Sequence, residues 1–348
     1  MKATILQAAR QIAVEEVPDP QIVLPTDAIV RVAASCVCGS DLWPYRGINE
    51  VREPRRIGHE FVGIVEEVGS EVSTVRVGDF VIAPFTYCDN TCPHCLAGMQ
   101  TACEQFGGWG SKGPDGHLAD GGQGEFVRVP LADGTLVATP EQPDSGMVPS
   151  LLALSDVMGT GWHAARSARV QPGQTVVVVG DGAVGLCGVL AASRMGAERI
   201  IAMSRHAPRQ AVAKEFGATD IVAARGDEGV AVIRDMTTGI GADAVLECVG
   251  TKESMQTAFD ILRPGSTVGF VGVPHAVEVP IGQMFRYNLT IAGGMAPVRS
   301  YLEQLRDDVL AGAINPGKVF DLTLPLEQVA QAYAAMDERR AIKVMLAN

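Results

Sequence analysis

The chain has 348 residues, enough for about two domains that each bury a core of their own. Apolar residues make up 47% and charged residues 20%, and 39 Gly with 20 Pro are too few for a disordered chain, so we expect folding throughout. The formal net charge of −12 disfavours nucleic acid and anionic lipid as partners, because both carry negative charge themselves.

The N-terminal segment does not resemble a signal peptide, because charged side chains interrupt it and leave no apolar core. These are Lys2, Arg10, Glu15 and Glu16. The longest apolar run, Ala183 to Ala192, has ten residues, whereas a membrane span needs about 20. We therefore expect a cytoplasmic protein with no membrane partner.

The first half of the chain is rich in short β-forming runs bounded by Gly, Pro or Asp. These runs are Ala28–Ala33, Phe61–Val68 and Gly78–Ala83. They predict a β-barrel-like domain with long loops. The glycine-rich stretch Gly107–Gly124 is interpreted as a binding loop.

From Gln171 onward, strand-forming and helix-forming segments alternate, which is typical of parallel βαβ units. The predicted elements are a strand at 175–179, a helix Ala183–Gly196, a strand Arg199–Met203, a helix Pro208–Phe216, and strands beginning at Asp220, Asp243 and Ser266. This half therefore predicts a doubly wound nucleotide-binding domain.

The last 55 residues are too short for a third core, so we expect them to rejoin the first domain. They hold two predicted helices, Val298–Ala311 and Leu326–Met336, and a strand Ala341–Leu346. The predicted domains are residues 1–155 with 294–348, and residues 156–293.

Gly180, Gly182 and Gly185 form a GxGxxG motif that also contains Ala183 and Val184. The motif follows a predicted buried strand and opens a predicted helix, which is the context of a dinucleotide pyrophosphate site. The alternative is a glycine-rich turn without a ligand.

The end of the next strand carries Ser204, Arg205 and His206 instead of the carboxylate that would accept the ribose hydroxyl of NAD. A hydroxyl and a guanidinium can bind a 2′-phosphate, so the sequence favours NADP. The alternative is that Arg205 is only a solvated surface cation.

Four cysteines lie within sixteen residues with the spacing C-x3-C-x2-C-x7-C: Cys88, Cys92, Cys95 and Cys103. In a reducing compartment this pattern predicts a closed tetrahedral zinc site with a structural role. His94 is interpreted as a spacer, and free surface thiols are the alternative.

A second group of potential metal ligands lies in the segments Cys38-Gly39-Ser40-Asp41 and Gly58-His59-Glu60. One Cys and one His are a weak signal, and His59 could instead be a hydrogen-bonded core residue.

Six motifs in this order resemble the alcohol dehydrogenase branch of the zinc-dependent medium-chain dehydrogenase/reductase superfamily: CGSD, GHE, the four-cysteine segment, LSDVMGTG, GxGxxG and IKVML. The resemblance covers essentially the whole chain. It implies a GroES-like catalytic domain, a Rossmann domain and two zinc ions per chain, one catalytic and one structural. Asp156 and Ser204-Arg205 resemble bacterial NADP-dependent secondary-alcohol dehydrogenases.

The resemblance also implies roles around the catalytic zinc. Cys38, His59 and Asp156 would be its ligands, a set that leaves a fourth position for water or substrate. Glu60 would lie beside the metal. Ser40 would begin the removal of the alcohol proton, although it could equally be a turn hydroxyl.

Trp43 stands where many members have a histidine that completes this proton relay, and indole cannot titrate. Trp43, Phe85, Thr86 and Trp109 are candidate substrate contacts. Trp43 and Phe85 could equally be core residues, whereas Trp109, among glycines, is expected to have little core around it.

For the cofactor, the resemblance places Thr160 beside the nicotinamide, Val184 behind it and Lys343 at the pyrophosphate. The expected reaction is reversible oxidation of a secondary or aryl alcohol to a ketone or aldehyde, with hydride transfer to NADP. Alternatives are a polyol or threonine dehydrogenase of the same superfamily and a non-catalytic nucleotide-binding relative. A homo-oligomer is expected, a tetramer or a dimer.

Overall fold

The computed structural model describes residues 1–348. The chain forms two compact units, one of Met1–Asp156 with Pro297–Asn348 and one of Val157–Ala296. The expected combination of a discontinuous β-rich domain and a doubly wound domain is confirmed. No helix is both long and apolar enough to cross a membrane.

The first unit is built on a seven-stranded sheet, with smaller sheets beside it. Its strands up to residue 156 are β1 Lys2–Ala8, β2 Gln11–Glu16, β3 Ala28–Cys36, β4 Arg55–Arg56, β5 Phe61–Val68, β6 Phe80–Ala83, β7 Thr86–Tyr87, β8 Gly107–Gly108, β9 Ser111–Lys112, β10 Leu118–Ala119, β11 Phe126–Val129 and β12 Val137–Ala138. Its helices there are short: α1 Leu42–Tyr45, α2 Pro93–Leu96, α3 Ala132–Thr135 and α4 Val148–Ala153. Alternating apolar residues of β3 and β5 pack into its core.

The second unit has a parallel six-stranded sheet in the order β15-β14-β13-β16-β17-β18. The strands are β13 Thr175–Val179, β14 Arg199–Met203, β15 Asp220–Val222, β16 Ala242–Glu247, β17 Leu262–Phe270 and β18 Thr290–Gly293. The helices are α5 Val157–Ser167, α6 Ala183–Arg194, α7 Ala207–Glu215, α8 Gly226–Met236, α9 Lys252–Ile261 and α10 Ile281–Tyr287. Valines of β13 are fully buried, as expected for a central parallel strand.

The C-terminal segment rejoins the first unit as expected. It contains α11 Leu302–Leu310, β19 Phe320–Pro325, α12 Val329–Asp337 and β20 Lys343–Ala347. β20 pairs antiparallel with β3, with Met345 opposite Cys36. This register places the start of β20 next to the loop that follows β3.

Several element boundaries differ from the sequence-based ones, for strands as well as for helices. The helices predicted from Val298 and from Leu326 each begin with a 3-10 turn before the α-helix starts. Strand β18 was not predicted, because its four residues are followed directly by Gly294. Asp156 belongs to the first unit, although the predicted boundary assigned it to the second.

Candidate functional site

Four side chains converge in the first unit: the ligand atoms of Cys38, His59, Glu60 and Asp156 all lie within 4.8 Å of one another. Cys38 follows β3, and His59 and Glu60 directly precede β5. These strands are antiparallel neighbours, with Ser35 opposite Phe61, so the two loops meet at one end of the sheet.

Asp156 reaches the same place because its neighbour Ser155 is attached to the sheet. The Ser155 hydroxyl donates to the carbonyl of Phe61 at 3.1 Å, and the Ser155 carbonyl accepts from the amide of Phe85 at 2.9 Å. Ser155 is fully buried. The carboxylate of the next residue is therefore held close to His59.

The donor distances fit a tetrahedral zinc ion. Cys38 Sγ and His59 Nε2 each lie 3.6 Å from Asp156 Oδ2. Zinc bonds of ordinary length at tetrahedral angles place a sulfur about 3.6 Å, and a nitrogen about 3.4 Å, from a carboxylate oxygen. Sulfur, imidazole and carboxylate are also the ligand types that zinc takes in proteins.

The orientation of His59 is set by Asp41. Asp41 Oδ1 lies 3.3 Å from His59 Nδ1, and Asp41 Oδ2 accepts from the Cys38 amide at 3.0 Å. A proton on Nδ1 that is shared with the carboxylate leaves the lone pair on Nε2, which faces Asp156.

The site attracts positive charge. Burial would lower the pKa of His59, but the charges of Asp41 and Cys38 outweigh it and raise that pKa well above its usual range. Burial and the charge of Glu60 raise the pKa of the Cys38 thiol. A dication in the site would replace these protons as the compensating charge.

Glu60 forms a buried ion pair with Lys343 at the start of β20. Lys343 Nζ lies 2.7 Å from Glu60 Oε1 and also donates to the carbonyl of Val37 at 3.1 Å. The second oxygen of Glu60 is buried and has no hydrogen-bond partner. The ammonium group of Lys343 is buried and already has two partners within this unit. Its contact with a cofactor phosphate stays a prediction.

The potential ligand atoms of a second group also lie within 4.8 Å of one another. This group consists of Asp89, Cys92, Cys95 and Cys103. Cys92 and Cys103 sulfurs are 3.9 Å apart, close to the value of about 3.8 Å for two thiolates on one tetrahedral zinc. Cys88, the predicted first ligand, is outside this group. Its sulfur lies 3.6 Å from the carbonyl oxygen of Gly134.

Asp89 is not among the predicted ligands, although the cysteine spacing contains a signal for it. Asp89 precedes Cys92 by three residues, as Cys92 precedes Cys95. Its Oδ1 accepts from the amides of Thr91 and Cys92. Burial raises the pKa of this carboxyl, but those amides outweigh it and keep the pKa low. His94 is exposed, and its interpretation as a spacer stays a prediction.

In the second unit, the glycine motif follows β13 and leads into α6, which is the context that the sequence predicted. Gly180 has φ +116°, and a Cβ on Gly185 would lie 2.0 Å from the Gly180 carbonyl oxygen, so a larger residue is excluded there. Gly182 precedes the first residue of α6, Ala183, and a Cβ on it would meet nothing within 4 Å. The N-terminus of α6 is thus open to a phosphate group.

The residues at the end of β14 have a partner that was not expected. Ser204 is buried, and its hydroxyl donates to Asp181 Oδ2 at 2.9 Å. Arg209, in the first turn of α7, donates to the Asp181 carbonyl and lies 3.4 Å from its carboxylate. Arg205 is exposed. Arg209, five residues beyond Ser204, is not among the predicted cofactor residues.

Among the candidate substrate contacts, Phe85 lies beside His59, with ring centroids 6.4 Å apart in an edge arrangement. Trp109 has more core around it than expected, because its ring packs edge-on against Phe61 at 4.9 Å and its Nε1 donates to a backbone carbonyl. The remaining predicted residues are half-buried or exposed: Trp43, Thr86, Thr160 and Val184 are half-buried, and Ser40 is exposed.

Comparison with known proteins shows which family the chain resembles. The alcohol dehydrogenase GroES-like domain model matches residues 24–141, and the zinc-binding dehydrogenase model matches residues 183–310. The chain is 35% identical to zinc-type alcohol dehydrogenase B of Aspergillus flavus, over 99% of this chain and 81% of that protein. It is 31% identical to a probable D-xylulose reductase A of Emericella nidulans, over 99% of this chain and 95% of that protein.

Among solved structures, the alcohol dehydrogenase TADH from Thermus sp. ATN1 superposes with a TM-score of 0.91 at 33% identity, covering 100% of this chain and 99% of that one. The chain therefore belongs to the zinc-dependent medium-chain alcohol dehydrogenase family, and it is an oxidoreductase. Membership implies zinc, a nicotinamide cofactor and a small-molecule substrate.

Proposed function

We propose that this enzyme catalyses the reversible oxidation of a secondary or aryl alcohol to a ketone or aldehyde, with NADP as hydride acceptor. The observation that carries the proposal is the convergence of Cys38, His59 and Asp156 at distances suited to one zinc ion. Three protein ligands leave one position for a substrate oxygen. A non-catalytic relative would not need this ligand set.

Cys38, His59 and Asp156 would hold the zinc ion, which when bound would supply Lewis acidity to lower the pKa of the alcohol and to polarise the carbonyl in the reverse direction. Asp41 keeps His59 oriented through Nδ1. Lys343 holds one oxygen of Glu60, which leaves the other to interact with the metal or its water. Ser40, exposed in the turn after Cys38, is the proposed first acceptor of the substrate proton.

We further propose a structural zinc held by Asp89, Cys92, Cys95 and Cys103, with Cys88 as a neighbouring thiol that does not ligate. Support comes from the separation of the Cys92 and Cys103 sulfurs and from the amides of Asp89 and Gln105, which donate to Cys103 Sγ at 3.4 and 3.3 Å. Such N–H donors stabilise a thiolate.

The preference for NADP rests on positive charge at the end of β14. Arg205 and Arg209 lie one and five residues after Ser204 in the chain, and no acidic residue occupies the position of Ser204 itself. Because the Ser204 hydroxyl already donates to Asp181, the two guanidinium groups are the proposed ligands of the 2′-phosphate.

A polyol substrate is the second candidate, because the D-xylulose reductase relative aligns over nearly the whole chain. Polyols need polar anchors, whereas the side chain that lies beside His59 is the apolar ring of Phe85. For this reason we favour an alcohol with one apolar substituent.

We also propose a homo-oligomer, a tetramer or a dimer. Strand β18 lies at the edge of its sheet, and nearby Phe285 and Ile281 are 88% and 67% exposed. An open strand edge with exposed apolar side chains is suited to pairing with a second copy. Light scattering of the purified protein tests this. The expected cytoplasmic location stays part of the proposal, because clustered free cysteines are typical of a reducing compartment.

The function is tested by measuring metal content and NADPH absorbance with a panel of secondary, aryl and polyol alcohols, with NADH assayed in parallel. We expect His59→Ala to lose one zinc per chain and nearly all turnover. Cys95→Ser is the matched control, since it should lose the other zinc and lower thermal stability. Full activity of zinc-depleted His59→Ala would contradict the proposed mechanism.

A further inference from the structure

A buried hydrogen-bond chain leads from the C-terminal helix to the loops that carry Cys38 and His59. The Tyr333 hydroxyl, on α12, lies 3.1 Å from Gln123 Oε1. Gln123 Nε2 lies 3.0 Å from the Cys36 carbonyl oxygen and 3.5 Å from Asp41 Oδ2. Gln123 and Tyr333 are both fully buried.

The direction of this chain is fixed by chemistry. The Cys36 carbonyl and the Asp41 carboxylate can only accept hydrogen bonds, so the amide nitrogen of Gln123 must face them. Its oxygen then faces Tyr333, whose hydroxyl must donate. The amide therefore has a single favourable orientation.

Gln123 also fixes the backbone that carries His59. The backbone N–H of Gln123 donates to the Ile57 carbonyl at 3.2 Å, and its side-chain Cγ would lie 2.5 Å from a Cβ on Gly58. Gly58 has φ +102°, a conformation that favours glycine, so the turn before His59 closes tightly around the Gln123 side chain. One buried residue thus contacts both ligand-bearing loops.

We propose that Gln123 and Tyr333 are positioning residues for the catalytic metal: together they hold Asp41 and the Gly58 turn, and thereby fix His59 in its metal-binding orientation. This inference rests on the proposed zinc site at Cys38, His59 and Asp156. Neither residue touches the ligand atoms, so the effect passes through Asp41 and the backbone.

The test compares zinc release to a chelator from Tyr333→Phe, Gln123→Met and the double variant, each loaded with zinc. Tyr45→Phe is the matched control. The Tyr45 ring packs against Tyr333 with centroids 5.3 Å apart, but its hydroxyl takes no part in the chain. The zinc held near Cys92 serves as an internal reference in every sample.

We expect zinc release from the His59 site to be about three- to tenfold faster in Tyr333→Phe and Gln123→Met. This effect is smaller than the loss of metal affinity that is typical when a direct partner of a metal ligand is replaced. The double variant should equal Gln123→Met, since Tyr333 acts through Gln123. Release from the other site, and from both sites in Tyr45→Phe, should match the unsubstituted enzyme.

Cobalt-loaded protein gives an independent measurement, because the ligand-field bands of the His59 site should shift in Gln123→Met and not in Tyr45→Phe. Unchanged release and unchanged bands in Tyr333→Phe and Gln123→Met would overturn the inference. Equal acceleration at both metal sites would also overturn it, since that result indicates general loosening. If Cys38→Ser keeps both zinc ions, the proposed catalytic site itself is wrong, which is a distinguishable failure.

Discussion

Replacing Lys343 with Met should destabilise the metal-free protein strongly. Its Nζ lies 2.7 Å from Glu60 Oε1, and the two side chains are only 2% and 0% exposed. Removing one partner of a buried pair leaves the other charge without compensation, which costs about 3–5 kcal/mol. Adding Glu60→Leu to this variant removes the orphaned charge and should restore most of the loss.

The chain offers a control with the same geometry at the surface. Lys2 Nζ also lies 2.7 Å from a carboxylate, that of Glu327, but these side chains are 47% and 57% exposed. Lys2→Met should leave the thermal unfolding midpoint unchanged, because solvent screens such pairs. The four proteins are compared by scanning calorimetry after zinc removal. If Lys343→Met unfolds at the same temperature as Lys2→Met, or if Glu60→Leu does not restore stability, the buried-pair reasoning is refuted.

Three further predictions concern the metals and the cofactor. Asp89→Asn should weaken zinc binding in the cysteine-rich site and lower the melting temperature, whereas Cys88→Ser should retain the metal. If the measured zinc content is instead lower in Cys88→Ser than in Asp89→Asn, Cys88 is the ligand. The kcat/KM for NADP should exceed that for NAD at least about tenfold, since each charge-assisted bond contributes about 1.5–3 kcal/mol. The triple variant Ser204→Asp, Arg205→Ala and Arg209→Ala should prefer NAD instead. Steady-state kinetics that show better use of NAD by the unsubstituted enzyme would exclude the NADP assignment. Zinc release should accelerate as pH falls, because the raised pKa of His59 favours its protonated form, which cannot bind metal. A release rate that does not change between about pH 8 and pH 5 would contradict this.

The fold could be predicted because its signals are local. The valine-rich strand β13 and the glycine turn after it define a βαβ unit within a few residues, and the strands Phe61–Val68 and Arg199–Met203 were predicted with their observed bounds. Helix starts were less accurate, because apolar periodicity does not distinguish a 3-10 turn from the first turn of an α-helix.

Ligand identity in the cysteine-rich site was harder, because Cys88 and Asp89 are adjacent and side chains of neighbouring residues point in different directions near a strand end. Cysteine is the commoner zinc ligand, so composition favoured Cys88. The backbone instead directs Cys88 toward Gly134 and Asp89 toward the other three cysteines. The three-residue spacing from Cys92 favours Asp89 whereas composition favours Cys88, and the path of the chain places Asp89 in the group.

The partners of Glu60 and Gln123 were unpredictable for a different reason: they come from distant parts of the chain. Lys343 is 283 residues from Glu60, and Tyr333 is 210 residues from Gln123. Both reach the site because β20 pairs with β3 after the chain has completed the second unit. The C-terminal return therefore does more than close a sheet. It supplies the cation that pairs with Glu60 and the hydroxyl that hydrogen-bonds Gln123, so the loops that carry Cys38 and His59 acquire these buried partners only when the C-terminal segment is in place.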